Sequence, residues 1–180
     1  MRVRDLTTAD ADAVGEIWTS ARTVAYAGIV SDEIARRPAE KLSDQIRSWP
    51  ADPRRVALIA LDGDESIGFV VAGPPEHDGV TGDAEISLIY VLPSAQGRGV
   101  GRLLMCQALQ RLRANGMRSL FLWALRDNRS GAAFYEGLGA SVLREVWSES
   151  NQTFLVAYGW GDLDALMEKT CGRRASEPVT

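Results

Sequence analysis

Residues 84–104 read AEISLIYVLPSAQGRGVGRLL. The run Ile86 to Val91 is extended and apolar, Leu92-Pro93 closes it, and Gln96-Gly97-Arg98-Gly99-Val100-Gly101 follows before helical spacing begins. Strand, glycine-rich loop and helix start therefore succeed one another in one short stretch. Such a junction presents free backbone N–H groups at the positive end of a helix, and glycines let the chain approach an anion with no Cβ in the way. A phosphate-bearing ligand is the natural occupant.

Spacing chooses among the phosphate loops. A Walker loop ends in Gly-Lys-Ser or Gly-Lys-Thr, and neither Gly97 nor Gly99 leads into such a pair. The dinucleotide fingerprint puts its third glycine three residues after the second, which falls on Arg102 or Leu104 here. Gln96, Gly99 and Gly101 do fit a Q/R-x-x-G-x-G/A pattern preceded by Val91-x-Pro93. That string resembles the pyrophosphate loop of the GNAT superfamily of acyl-CoA-dependent N-acyltransferases. A second stretch, NRSGAAFYEGLGA at residues 128–140, is similar to that family's N-x-x-A-x-x-F-Y-x-x-x-G-F signature, with Asn128, Phe134, Tyr135 and Gly139 in register. Gly131 and Ala140 depart from it at positions that bear on packing rather than on proton transfer.

The rest of the chain reads as a frame for these two stretches. Val3 to Leu6 alternates like a strand, and Ala13, Val14, Ile17, Trp18 and Ala21 share one face of a helix capped near Thr7-Thr8-Ala9-Asp10. Ser31-Asp32 opens a second helix expected to run to about Trp49 and to stop at Asp52-Pro53. Arg55–Leu61 and Ser66–Ala72 form a hairpin across Asp62-Gly63-Asp64-Glu65, and the polar stretch 76–83, with the only histidine, His77, leads to the central strand. After the loop come a helix ending near Asn115-Gly116, a strand over Met117–Leu125, a helix over Arg129–Leu138, two strands at Ser141–Val146 and Thr153–Tyr158, and a final helix. This gives a single domain over residues 1–169, with 170–180 as a disordered tail.

At 180 residues with 46% apolar and 24% charged residues, the composition is that of one globular domain. The formal charge of −4 argues against nucleic acid as a partner. No apolar run reaches the roughly 20 residues of a membrane helix, and the first residues lack a signal-peptide core, so the expected location is cytoplasmic, with no membrane partner. The two cysteines do not suggest a disulfide framework; Cys106 reads as a packing residue in a helix and Cys171 as part of the polar tail. No Cys/His cluster has metal-ligand spacing, and none is expected to hold a metal.

The resemblance implies an α/β GNAT fold: a mixed, mostly antiparallel sheet, splayed between the strands Ala84–Val91 and Met117–Leu125 and flanked by helices. It implies acetyl-CoA as cosubstrate. The pyrophosphate would lie on Gln96, Gly97, Arg98, Gly99, Val100 and Gly101 with Arg102 nearby, and the pantetheine arm along Ile89 and Val91, with Asn128 and Phe134 completing the site. It also implies N-acetyl transfer by direct attack in a ternary complex. An N–H near Ile89 would stabilise the negative carbonyl oxygen, and Tyr135 would protonate the leaving thiolate; the plainer reading of Tyr135 is that it packs on the cofactor. An alkylamine, with a pKa of roughly 10, must lose a proton before it attacks. Glu85 matches a position where some relatives carry a general base, and a solvated strand-end carboxylate is the competing reading. Alternation places Glu85, Ser87 and Ile89 on one face. The acceptor is an amine of a small molecule, peptide or protein. The sequence leaves open a homodimer and, as an alternative function, an inactive acyl-CoA-binding sensor or interaction module on the same fold.

Overall fold

The computed structural model describes residues 1–37, 39, 42, 45–46 and 53–172. Within them one seven-stranded sheet runs in the order β1-β2-β3-β4-β5-β7-β6. Its strands are β1 (Arg2–Asp5), β2 (Val56–Asp62), β3 (Glu65–Gly73), β4 (Ala84–Val91), β5 (Leu120–Leu125), β6 (Ser141–Ser148) and β7 (Thr153–Trp160). All neighbours are antiparallel except β4 and β5. The helices are α1 (Ala11–Ala25), the single turn α2 (Asp32–Ala35), α3 (Val100–Ala114), α4 (Arg129–Gly137) and α5 (Leu163–Cys171). The fold is the α/β arrangement expected.

Each face of the sheet is covered by its own core. On one, Val70, Ala72 and Ile86 pack with Leu104, Met105, Ala108 and Leu112 of α3 and Leu163 and Leu166 of α5. On the other, Ile59, Phe69 and Val71 pack with Val14 and Ile17 of α1 and with Leu42 and Ile46. These are the apolar stripes read from the sequence, at i, i+3 and i+4 along the helices and at every second residue along the strands. Gly68 lets β3 and α3 close up: a Cβ there would stand 2.9 Å from the Tyr90 carbonyl oxygen and 3.2 Å from Leu104.

Four readings change. The final helix extends through Thr170 and Cys171, so only residues 173–180 of the expected tail lie outside the described residues; the helix expected from Ser31-Asp32 to about Trp49 ends after one turn at Ala35, and part of the rest of that span lies outside the described residues. Cys106 and Cys171, 65 positions apart, form a disulfide joining α3 to the end of α5. Two lone cysteines carry no signal for this, because the pairing follows from the packing of the two helices. The strand expected from Met117 begins at Leu120. Finally, alternation fails in β4. Val71 pairs with Leu88 but Ala72 pairs with Ile86, leaving Ser87 as an extra residue. This bulge reverses the sidedness of everything before it. Glu85 therefore shares the α1 face with Leu88 and Tyr90, while Ile89 packs on the α3 face.

Candidate active site

β4 and β5 pair only from Ala84↔Leu120 to Ile86↔Leu122, although both strands continue, to Val91 and Leu125. Beyond that last rung they part, and a cavity of about 680 Å³ opens between them, passing from the α1 side of the sheet to α4. Ser87 to Val91 form one wall and Trp123 to Leu125 the other. A sheet opened in this way offers strand edges in need of partners, which suits an extended, amide-bearing ligand. Two further groups point the same way. Ser87 Oγ and Trp123 Nε1 belong to cavity-lining residues and are buried without a hydrogen-bond partner.

The glycine-rich loop forms one end of the cavity. Gly97 and Gly99 hold left-handed conformations, with φ of 72° and 83°, and no atom stands within 4 Å of where their Cβ would be. Gly99 occupies the N-cap of α3 and supplies no side-chain cap, so the first N–H groups of this 15-residue helix are free to meet a ligand. Arg102, in the first turn of α3, lines the cavity and donates through Nη1 to the Lys169 carbonyl at 2.9 Å. Asn128 caps α4 through Oδ1, which accepts from the Gly131 N–H at 3.1 Å. A Cβ at residue 131 would fall 2.9 Å from the Asn128 amide, a reason for glycine at the position where the signature has alanine.

Tyr135 reaches the cavity from α4. Its ring meets Phe134 edge-on at 5.5 Å and Tyr158 at 5.5 Å, and burial pushes its phenol far above the ordinary value. It is thus a neutral O–H donor at physiological pH. Opposite it, the Tyr26 and Tyr90 hydroxyls lie 3.3 Å apart.

Of the site residues expected from the sequence, Ile89, Val91, Gln96, Gly97, Gly99, Val100, Gly101, Arg102, Asn128, Phe134 and Tyr135 line this one cavity. Gln96 turns its amide inward, donating to the Val91 carbonyl at 3.2 Å. Arg98 is absent from the cavity lining and pairs with Asp62, the last residue of β2, at 2.5 Å. Glu85 is buried, 1% exposed, one residue beyond the last cavity-lining position of β4. Its carboxylate accepts from the Glu76 N–H at 2.8 Å and the His77 N–H at 3.1 Å, and contacts His77 Nδ1 at 2.6 Å. Arg129, at the start of α4, lines the cavity and was passed over in the sequence because it lies inside the second signature without being one of its marked positions. The α1 wall, Ala21 to Ala27, carries no motif at all.

Comparison with known proteins bears on the same residues. The model of the acetyltransferase (GNAT) family matches residues 18–140. The uncharacterized N-acetyltransferase YuaI of Bacillus subtilis is 31% identical over 121 residues, covering 66% of this chain and 69% of that protein. A mycothiol acetyltransferase of Geodermatophilus obscurus is 34% identical over 105 residues, 51% of this chain, but the match spans only 34% of the longer relative. Among solved structures, the PaiA N-acetyltransferase of Thermoplasma acidophilum in complex with coenzyme A superposes with a TM-score of 0.71 at 22% identity, over 88% of this chain and 98% of that one. YncA of Salmonella typhimurium with acetyl-CoA gives 0.70 at 20% identity, over 99% of both chains.

Proposed function

Because the chain belongs to the GNAT acetyltransferase family, a family of acyl-CoA-dependent transferases, we propose that it moves an acetyl group from acetyl-CoA to an amine by direct attack in a ternary complex. The observation that carries this reading is the opening of the sheet after Ile86↔Leu122, with the uncapped start of α3 at one end and the Tyr135 hydroxyl at its α4 wall. Acetyl-CoA supplies the activated acetyl group as its thioester. The backbone of Gly97 to Gly101 holds its pyrophosphate, with Arg102 and Arg129 adding charge. The unladdered edges of β4 and β5, Ser87 Oγ and Trp123 Nε1 hold the amide-bearing arm.

Tyr135 then has one task, to give its proton to the departing thiolate, for which a buried neutral phenol is suited. Glu85 serves as a base at one remove. Its carboxylate stands on the α1 face beside the last paired rung, so the amine's proton reaches it through water and leaves toward solvent by way of His77, whose ring is 61% exposed.

Thermal unfolding with and without saturating acetyl-CoA, in wild type and Gly99→Val, tests the reading. Ligand at about 100 times its dissociation constant adds roughly 2.7 kcal/mol, a shift of about 5 to 10 °C for a chain of this size. The valine variant combines a strained left-handed residue with a side chain in the phosphate path, so its shift should vanish while it remains folded. No shift in wild type freed of coenzyme A overturns the proposal. A shift without thiol release from any amine leaves an acyl-CoA-binding module.

A further inference from the structure

The wall that an acceptor would meet has a distinct electrostatic character. On the α1 side the cavity is lined by Ala21, Val24, Ala25 and Tyr26, with Leu88 and Tyr90 of β4. The charged lining residues are Arg102, Asp127 and Arg129, and all three lie at the other end, around the starts of α3 and α4. Among the described residues, therefore, no carboxylate lines the α1 side of the cavity; Glu85 stands behind that face, one position beyond the last lining residue of β4.

A buried cation stands behind that wall. Arg22 is only 6% exposed. Its guanidinium lies 4.2 Å from the centre of the Trp18 ring and 4.8 Å from that of Tyr26. Nη2 donates to the Ile34 carbonyl at 3.1 Å, while Nε is buried with no partner. None of the ion pairs among the described residues involves Arg22. The field of a buried cation is felt through a medium that screens poorly.

Tyr26, whose ring Arg22 covers, and Tyr90 both line the cavity. One of their two O–H hydrogens is used between them at 3.3 Å, which leaves the other to be donated outward. Burial, reinforced by the Tyr26 neighbour, pushes the Tyr90 phenol well above its ordinary value, so the pair stays neutral and donating. Tyr26, Tyr90 and Tyr135 line the same cavity, so a group bound at the hydroxyl pair shares it with the proposed proton donor.

We propose that the acceptor is an amine carrying a carboxylate on an apolar body, an apolar amino acid in its simplest form, with the carboxylate seated on the Tyr26–Tyr90 hydroxyl pair in the field of Arg22. The alanines and Val24 take the apolar part. A second cation on the acceptor finds no carboxylate among the described residues lining this wall and is repelled by Arg22, so polyamines and aminoglycosides are poor acceptors. The inference rests on the acetyl-transfer reading above and adds a substrate class to it.

The test is thiol release from saturating acetyl-CoA with L-leucine, L-methionine and L-phenylalanine, their carboxamides, spermidine and kanamycin as acceptors. The acids should exceed their amides at least tenfold in kcat/KM, and both polycations by more. Tyr26→Phe/Tyr90→Phe, which keeps both rings, should bring the acid-to-amide ratio close to one by raising the acids' KM, with the KM for acetyl-CoA changed less than threefold. Amides equal to acids in wild type, a polycation preferred, or a ratio unmoved in the double variant each overturns the inference. So does failure of every acid. Whether acetyl-CoA still raises the unfolding temperature then decides if the acetyl-transfer reading falls with it.

Discussion

The two faces of the sheet are built differently, and the cavity between β4 and β5 connects them. The α3 face is deep: α3 and α5 pack on β3, β4 and β5, and the helices are tied by Cys106–Cys171 and by Arg113 to Asp164 at 2.6 Å. The α1 face, among the described residues, is thinner, with Val14 and Ile17 of α1 packed on β2 and β3 and with Tyr26, Tyr90 and the buried Arg22 beside the cavity. In the proposed reaction the α3 face supplies backbone N–H groups and strand edges for what every acyl-CoA has in common, and the α1 face supplies side chains for what differs among acceptors. On that proposal, acceptor choice can change on one face without rebuilding the other.

The largest effect that would sharpen this contrast is loss of the disulfide. A crosslink spanning 65 positions restricts the unfolded chain considerably, and its removal should cost roughly 2 to 4 kcal/mol. Cys171→Ser should lower the unfolding free energy read from urea titration by that amount and move acetyl-CoA affinity, since the bridge braces the helix whose N-terminus bears the loop. The ranking of acceptors should not move. An altered ranking would mean that the two faces do not divide the labour as stated.

Tyr135→Phe isolates chemistry from both forms of binding. The phenol packs by its ring against Phe134 and Tyr158, and those contacts survive the change. With only the proton donor removed, kcat should fall about 10- to 100-fold, equivalent to roughly 1.4 to 2.7 kcal/mol of barrier, while the KM for acetyl-CoA holds. Unchanged turnover would reduce Tyr135 to a packing residue and leave the thiolate to depart unprotonated.

The sequence was legible where backbone does the work. Strand, glycine loop and helix start are written in local spacing, so β4, the loop and α3 were placed to within a residue, and the Asn128–Tyr135 register carried α4 and its tyrosine into the same cavity. What could not be read depends on contacts between distant segments. The bulge at Ser87 arises from the pairing of β4 with β3, and it moves Glu85 to the opposite face from Ile89. Arg98 has the composition of a phosphate ligand, but Asp62, 36 residues away, claims it. The Glu85–His77 contact needs the 76–83 stretch to fold back over the strand start, and the Tyr26–Tyr90 pair brings together residues 64 positions apart. None of these has a local signature.

The smallest effect belongs to the thin face and concerns how α1 is anchored. Arg4 in β1 grips both oxygens of Asp10 at 2.7 Å, and the Thr7 N–H adds a bond at 2.8 Å, so the entry to α1 is held to the sheet edge. The Arg4 hydrogen bonds are the main reason that the Asp10 carboxyl falls from its ordinary 3.8 to about 2. A pKa lowered by folding means that the folded state prefers the carboxylate. The resulting stabilisation is complete above about pH 4, where the unfolded chain is also ionised, and it disappears as pH falls through about 2. Because the Arg4 side chain is 39% exposed, solvent screening leaves about 1 to 2 kcal/mol of the full linkage value. Asp10→Asn should therefore lower the unfolding free energy read from urea titration at pH 7 by that amount, and the gap from wild type should narrow steadily between pH 4 and pH 2. A gap independent of pH would mean that the side chain contributes by shape and capping alone. Since α1 carries Tyr26 and Arg22 at its other end, the variant should also blur the acid-over-amide preference more than Cys171→Ser does.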